Sequence, residues 1–372
     1  MEYIFPESAK RILSSKGKDI IQEIGLDIIK GVVFDVLTGK NLRDSTELLT
    51  RKRIISLNAA TLSVMINGSS KDPEFIKKLP NYAFEKLSKG KKLQKHERWL
   101  MQWLLGLTDK AFQNVLRDDI ASLKKYKDSY IAITKKAIKE FENDYGKIFG
   151  SISVDSRKRA LLNWEFMAQL MSTIGSQTLA IRGSDKSTFG KLFEKLVLGA
   201  LLSVLGFEMT SPNNLKKTKK VFWLSSREMK RESDATLLYE AGKGVRFDIG
   251  FIGKGNPEIS LDKVSRFERE IELGNKTWYM GTIIIVDSIG KGSRIESLAA
   301  KIKGDIVQMS GAYWPLQVAK KLNKTLGYTN PILKIKTDAK LNAYIKQKVA
   351  KVPFEKLLNM PVFSKDINSN ND

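Results

Sequence analysis

The chain of 372 residues contains no cysteine and a single histidine. Without thiols there can be no disulfide, thiolate zinc site, iron–sulfur cluster or cysteine nucleophile. The one histidine, His96, sits in Lys91-Lys92-Leu93-Gln94-Lys95-His96-Glu97-Arg98, where like charge disfavours both its protonation and a bound cation. It reads as a surface residue. A Ser/His/Asp triad, a His–metal nuclease and a His–His ribonuclease all need more than it offers. Long apolar runs are missing too. The stretch Leu196 to Phe207 is far too short to span a bilayer, and Met1 to Lys10 has no signal-peptide character. These absences predict a soluble protein with no membrane partner, and they leave any catalysis to carboxylates, lysines and a hard metal ion.

Positive charge is what the chain has in excess. Lys plus Arg number 64 against 41 for Asp plus Glu, a formal net charge of +23. An imbalance of that size favours a polyanionic partner, since each phosphate neutralised by a cation releases condensed counterions. A solubility surface rarely needs so much, so nucleic acid leads over an anionic membrane or an acidic protein. The apolar fraction, 42%, is that of a globular protein with a sizeable core. Basic clusters at Lys89-Gly90-Lys91-Lys92 and Lys216-Lys217-Thr218-Lys219-Lys220 sit in loop-like contexts. No internal repeat and no C2H2, RRM or P-loop signature is present.

Periodicity predicts a mainly helical N-terminal domain over 1–178, with helices at 18–37, 97–107, 118–145 and 156–174. In the third, lysines 124, 125, 127, 135, 136 and 139 read chiefly as a solvated face. The pattern changes after about Gly183. A helix is expected from Ser187 to Leu205, ended by Gly206. Strand-like runs follow at 221–224, 235–239, 245–252, 258–261 and 282–286, then a helix at 293–303 and a strand at 305–309. That order predicts an α/β core with a mixed sheet flanked by helices over 179–315. A C-terminal helical section and tail fill 316–372.

The densest chemistry lies in Arg246-Phe247-Asp248-Ile249-Gly250-Phe251-Ile252-Gly253-Lys254-Gly255-Asn256-Pro257-Glu258-Ile259-Ser260-Leu261-Asp262-Lys263. Folded as a hairpin, this brings Asp248 and Glu258 to one end of a sheet. Two carboxylates there suit a hard cation such as Mg²⁺, which activates water and neutralises charge on a phosphoryl group. Taken singly, each acid has a plainer reading. An aspartate before a strand is often a turn-former, Glu258 could aid a following helix N-terminus, and Glu194 could be a solvated helix residue. The conjunction of acids, α/β order and positive charge carries the catalytic reading.

This arrangement resembles the PD-(D/E)XK nuclease superfamily. The resemblance implies Asp248 as first acid, Glu258 as second and Glu194 as the core-helix ligand, all three holding the metal. Ser260 stands where the superfamily has lysine, so Lys263 or Lys254 would supply the cation. A second registration takes Asp234, in Arg231-Glu232-Ser233-Asp234-Ala235, as first acid and Asp248 as second. Gly250 then occupies the lysine position and Lys243 is a displaced cation. The first registration is preferred for its specialised Gly255-Asn256-Pro257-Glu258 loop, and Asp248 serves in both.

The blocks around Asp248 and Glu258 are further similar to type II restriction endonucleases of the CfrBI-like group, over roughly residues 180 to 315. That likeness implies a cytoplasmic, prokaryotic, homodimeric enzyme cutting double-stranded DNA at a specific site, with a cognate DNA methyltransferase as genetic partner. Arg227, Lys230, Arg231, Arg266 and Arg269 are the expected DNA contacts, mostly to phosphate. Trp278, Tyr313 and Trp314 are expected in the core rather than stacked on bases. The rivals are a structure-specific repair nuclease and a non-catalytic basic nucleic-acid-binding protein.

Overall fold

The structure is a computed structural model and describes residues 7–14, 25–89, 93–116, 119–154, 158–211, 219–225, 233–251, 281–287, 304–311 and 313–359. In chain order the elements are α1 (Glu7–Ser14), α2 (Leu26–Leu37), α3 (Leu42–Ser69), α4 (Phe75–Ser88), α5 (Lys95–Leu104), α6 (Asp109–Leu116) and α7 (Ile120–Tyr145). A hairpin of β1 (Gly150–Val154) and β2 (Lys158–Leu162) and the helix α8 (Trp164–Val204) follow. Next come β3 (Glu208–Met209), β4 (Val221–Leu224), β5 (Ala235–Glu240), β6 (Lys243–Gly250), β7 (Gly281–Val286) and β8 (Gly304–Gln308). The helices α9 (Trp314–Leu326), α10 (Asp338–Ala350) and α11 (Phe354–Leu358) complete the order. The chain divides into two compact units. One comprises Met1–Ser15 and Leu49–Asp185, the other Lys16–Leu48 and Lys186–Asp372.

The first unit is helical and carries the β1–β2 hairpin. Its core gathers Leu57, Ile66, Phe75, Leu79, Trp103, Leu104 and Phe166 at 4% exposure or less, with the Trp99 and Trp103 rings 5.7 Å apart. Two buried polar contacts tie its helices together: Thr61 Oγ1 donates to Gln177 Oε1 at 2.7 Å, and Gln169 Nε2 donates to the Leu104 carbonyl at 2.8 Å. Arg53 pairs with the buried Asp185 and also donates to the Ile12 carbonyl. Along α7 the single buried side chain is Leu123, and Lys124, Lys125, Lys135, Lys136 and Lys139 are exposed. The solvated face expected there is what the helix presents.

Two expectations for this region fail. Residues 156–162 were expected to open a helix, but 158–162 pair antiparallel with Gly150–Val154. The helix begins only at Trp164, where Asn163 Oδ1 accepts the Phe166 N–H at 2.9 Å as a side-chain cap. The break expected near Gly183 is also absent. Glycine in a helix costs only about 1 kcal/mol relative to alanine, and the buried run 195–202 that follows outweighs it. α8 thus contributes 164–185 to the first unit and 186–204 to the second.

The second unit is built on a six-stranded mixed sheet, order β3-β4-β5-β6-β7-β8. The β4–β5 and β5–β6 pairs are antiparallel, and β3–β4, β6–β7 and β7–β8 are parallel. This is the expected α/β class with a mixed sheet flanked by helices. β6 is central and buried from Gly244 to Gly250, as a strand covered on both faces should be. Gly242, at φ +77°, makes the turn into it. α8 reaches the sheet at Gly199, where an added Cβ would lie 3.6 Å from Leu224 of β4 and 2.7 Å from Leu357 of α11. Trp314 is fully buried, as expected, and its Nε1 donates to the Val36 carbonyl of α2 at 2.7 Å. No helix among the described residues is long and apolar enough to cross a membrane.

Candidate active site

Register brings the acids together. β5 pairs antiparallel with β6 through Ala235↔Phe247, so the next position sets Asp234 beside Asp248. The Asp234 N–H donates to the Phe247 carbonyl at 2.9 Å, and the Ile249 N–H donates to Asp234 Oδ2 at 2.9 Å. Asp234 is therefore bonded to both chain neighbours of Asp248. Its carboxylate replaces a carbonyl where the regular ladder ends, a substitution that short polar side chains make readily. The two aspartates are 8% and 2% exposed.

Alternation along β6 puts Arg246 on the same face as Asp248, with Thr236 opposite Arg246 on β5. Arg246 and Thr236 are also buried, at 5% and 4%. On the other side Asp248 lies level with Ile284 of β7. Buried carboxylates are tolerated only when paired or bound to a cation, and Arg246 brings one positive charge to this face. Glu194 is half-buried on α8, five residues before the close approach of Gly199 to Leu224.

The expected hairpin between 245–252 and 258–261 does not fit β6. Both of its hydrogen-bonding edges are taken, by β5 on one side and β7 on the other. Lys243 opens β6 and pairs with Glu240. Five residues of strand, about 16 Å, separate it from Asp248, so it lies at the wrong end for a displaced cation. Glu258, Lys254 and Lys263, with Arg227, Lys230, Arg231, Arg266 and Arg269, lie outside the described residues, as does Trp278. Among the described residues no three His, Cys, Asp or Glu side chains converge as a metal cluster. His96 lies in the first turn of α5, half-exposed.

Sequence reading missed one group here, Arg246, which was legible as the residue two before Asp248, hence on its face.

An α/β unit with paired buried aspartates at the ends of adjacent central strands is a framework suited to oxygen-ligated metal chemistry on a phosphoester. The comparisons give the chain its family. The CfrBI restriction endonuclease family matches residues 26–294, and the chain belongs to this family. It is 38% identical over 328 residues to the type II restriction enzyme CfrBI of Citrobacter freundii, covering 87% of this chain and 89% of that protein. No solved structure matches the chain.

Proposed function

We propose that this protein is a type II restriction endonuclease, hydrolysing phosphodiesters of double-stranded DNA at a specific sequence with Mg²⁺ as cofactor. The observation that carries the reading is the Asp234–Asp248 pair, buried side by side in a chain of the CfrBI restriction endonuclease family. The net charge of +23 suits the polyanionic substrate.

The core is read as PD-(D/E)XK-like. Asp234 is the first acid, immediately before β5, and Asp248 the second, on the adjoining strand β6. Of the two registrations open from sequence, this pairing is favoured by the strand register. The donor set fits a hard divalent ion, since it offers adjacent carboxylate oxygens and no thiolate or imidazole. Asp234 and Asp248 would hold the metal, with Glu194 and Glu258 as candidates for further ligands. When bound, such an ion lowers the pKa of coordinated water and offsets charge on the phosphoryl oxygens.

The chain's own part is positional. Asp234 fixes the end of β6 through Ile249, and the buried surroundings of Asp248 keep its carboxylate from bulk water. Arg246, deeper along the same strand, offsets the negative charge of the pair. Arg227, Lys230, Arg231, Arg266 and Arg269 are proposed to contact DNA, and the exposed lysines of α7 to add backbone affinity. A homodimer is proposed to match a two-fold site, with a cognate methyltransferase protecting host DNA and the cytoplasm as the working compartment.

Incubation of the purified protein with phage DNA and Mg²⁺, against an EDTA control, tests this. Discrete fragments that disappear with Asp248→Asn are expected. A smear would favour a repair-type nuclease, and a mobility shift on intact DNA a binding protein alone.

A further inference from the structure

We propose that the β1–β2 hairpin of the first unit reads base edges in the major groove of the target DNA, with Arg159 as its contact to a guanine. The inference rests on the reading of the protein as a site-specific endonuclease, and it names the surface that supplies the specificity.

Alternation gives the hairpin two unlike faces. The pair Ile152↔Ala160 turns inward, where Ala160 is 1% exposed and Ile152 and Leu162 pack against the helical core. The other face sets Ser151 opposite Leu161 and Ser153 opposite Arg159, and all four residues are exposed. The Arg159 guanidinium has no hydrogen-bond or ion-pair partner among the described residues. Hydroxyls, a guanidinium and an apolar side chain on one face are groups that distinguish bases. Serine serves donors and acceptors alike, arginine pairs with guanine O6 and N7, and an apolar group meets the thymine methyl.

The shape fits the same role. Two strands about 4.8 Å apart make a ribbon narrow enough for a major groove about 12 Å wide. The strands pair over five positions, about 17 Å of extended chain, which matches about five base steps of about 3.4 Å. The root of the ribbon is clasped. Trp164, which follows β2, donates its Nε1 hydrogen to the Gly146 carbonyl ahead of β1 at 2.7 Å. Its ring lies 5.4 Å from that of Phe141 and 6.3 Å from that of Tyr145, both on α7. A ribbon held in this way presents Arg159 at a fixed place, so less freedom is lost on binding.

Charge decides between DNA and a second copy of the chain. The paired residues, 150–154 and 158–162, include Lys158 and Arg159 and no acid, and Asp155 and Arg157 of the connecting turn cancel. Two such ribbons meeting across a two-fold axis would bring like charges together. The phosphates that line a groove attract them instead.

The test begins with the wild type, whose cleavage position is mapped on phage DNA in Mg²⁺. Affinities for that site and for a scrambled fragment are then measured in Ca²⁺ for the wild type, Arg159→Ala and Arg159→Lys. Both variants are expected to lose about 10- to 100-fold in affinity for the site and to hold the scrambled fragment within a few-fold. Lysine fails here because it keeps the charge without the bidentate fork. Each guanine of the site is also replaced in turn by 7-deazaguanine, which lacks the N7 acceptor. One such replacement is expected to weaken the wild type and leave Arg159→Ala unaffected. Equal losses on both fragments would reduce Arg159 to a phosphate contact and overturn the proposal. Unchanged affinity for the site, or a wild type indifferent to every guanine replacement, would overturn it as well. A variant that sediments as a smaller species than the wild type would set the hairpin between copies of the chain, again overturning it. A wild type that yields no discrete fragments would instead overturn the endonuclease reading beneath it.

Discussion

Asp234 holds both chain neighbours of Asp248, giving its backbone N–H to the carbonyl of Phe247 and taking the N–H of Ile249 on its carboxylate, each at 2.9 Å. The first acid of the pair therefore also fixes the backbone that carries the second. Substitutions at the two positions test the proposed metal-holding role of both.

Asp248→Asn should reduce cleavage by about 10³-fold or more, because several kcal/mol of transition-state charge stabilisation pass through that carboxylate. DNA binding should be unchanged or tighter, since one negative charge facing the phosphate is gone. Asp234→Asn should be as inactive, because its amide oxygen can still accept the Ile249 N–H but is a poor metal ligand. Mg²⁺ should raise the melting temperature of the wild type, by about 2.7 kcal/mol of added stability at a hundredfold excess over Kd. Neither variant should respond. Thermal melts with and without Mg²⁺, beside single-turnover cleavage, check this, and a full Mg²⁺ response in both variants would contradict the metal assignment.

Gly206 ends α8 at φ +87°, and a Cβ there would lie 2.9 Å from Tyr328 Oη. That hydroxyl donates to the Leu205 carbonyl at 2.6 Å, and Asn330 Nδ2 donates to the same carbonyl at 2.7 Å. Gly206→Ala combines an unfavourable left-handed backbone with displacement of this cap. A loss of about 1 to 3 kcal/mol is expected, or a few degrees in Tm for each kcal/mol in a unit of this size. Calorimetry checks it, and an unchanged Tm would show that the turn relaxes freely.

Much of the α/β pattern could be read from periodicity. The strands at 221–224, 235–240, 281–286 and 304–308 fall within a residue of their expected limits, because each is a short apolar run set off by polar or glycine residues. The choice of partner strand could not be read that way. A Gly-rich segment after Asp248 suggested a hairpin, whereas the far edge of β6 pairs with β7, more than thirty residues downstream. Parallel pairing leaves no local turn signal, so the true neighbour of Asp248 on the acid side, Asp234, looked like the lesser choice. The helix α2 was expected within 18–37, but what it packs against was hidden. Nothing in Leu26 to Leu37 announces that Val36 will take the Trp314 N–H.

Arg53 and Asp185 form the buried ion pair of the helical unit, with Asp185 1% exposed. Burial pushes the Asp185 carboxyl above its ordinary range, against the opposing pull of the Arg53 guanidinium and of a hydrogen bond from Thr50. Arg53→Ala removes the largest of those opposing influences, so the carboxyl rises further. A carboxyl whose folded pKa is raised contributes stability that is present below its unfolded value, about 3.9, and lost as pH rises through the folded value. The deficit of Arg53→Ala should therefore be small near pH 4 and grow toward neutrality, reaching about 3 kcal/mol for an uncompensated buried charge. Adding Asp185→Asn in the same chain should recover part of it at pH 7 and little at pH 4. Urea denaturation of both variants across that range measures the effect. A deficit that stays constant with pH would mean that Arg53 acts through packing and its bond to the Ile12 carbonyl rather than through the charge of Asp185.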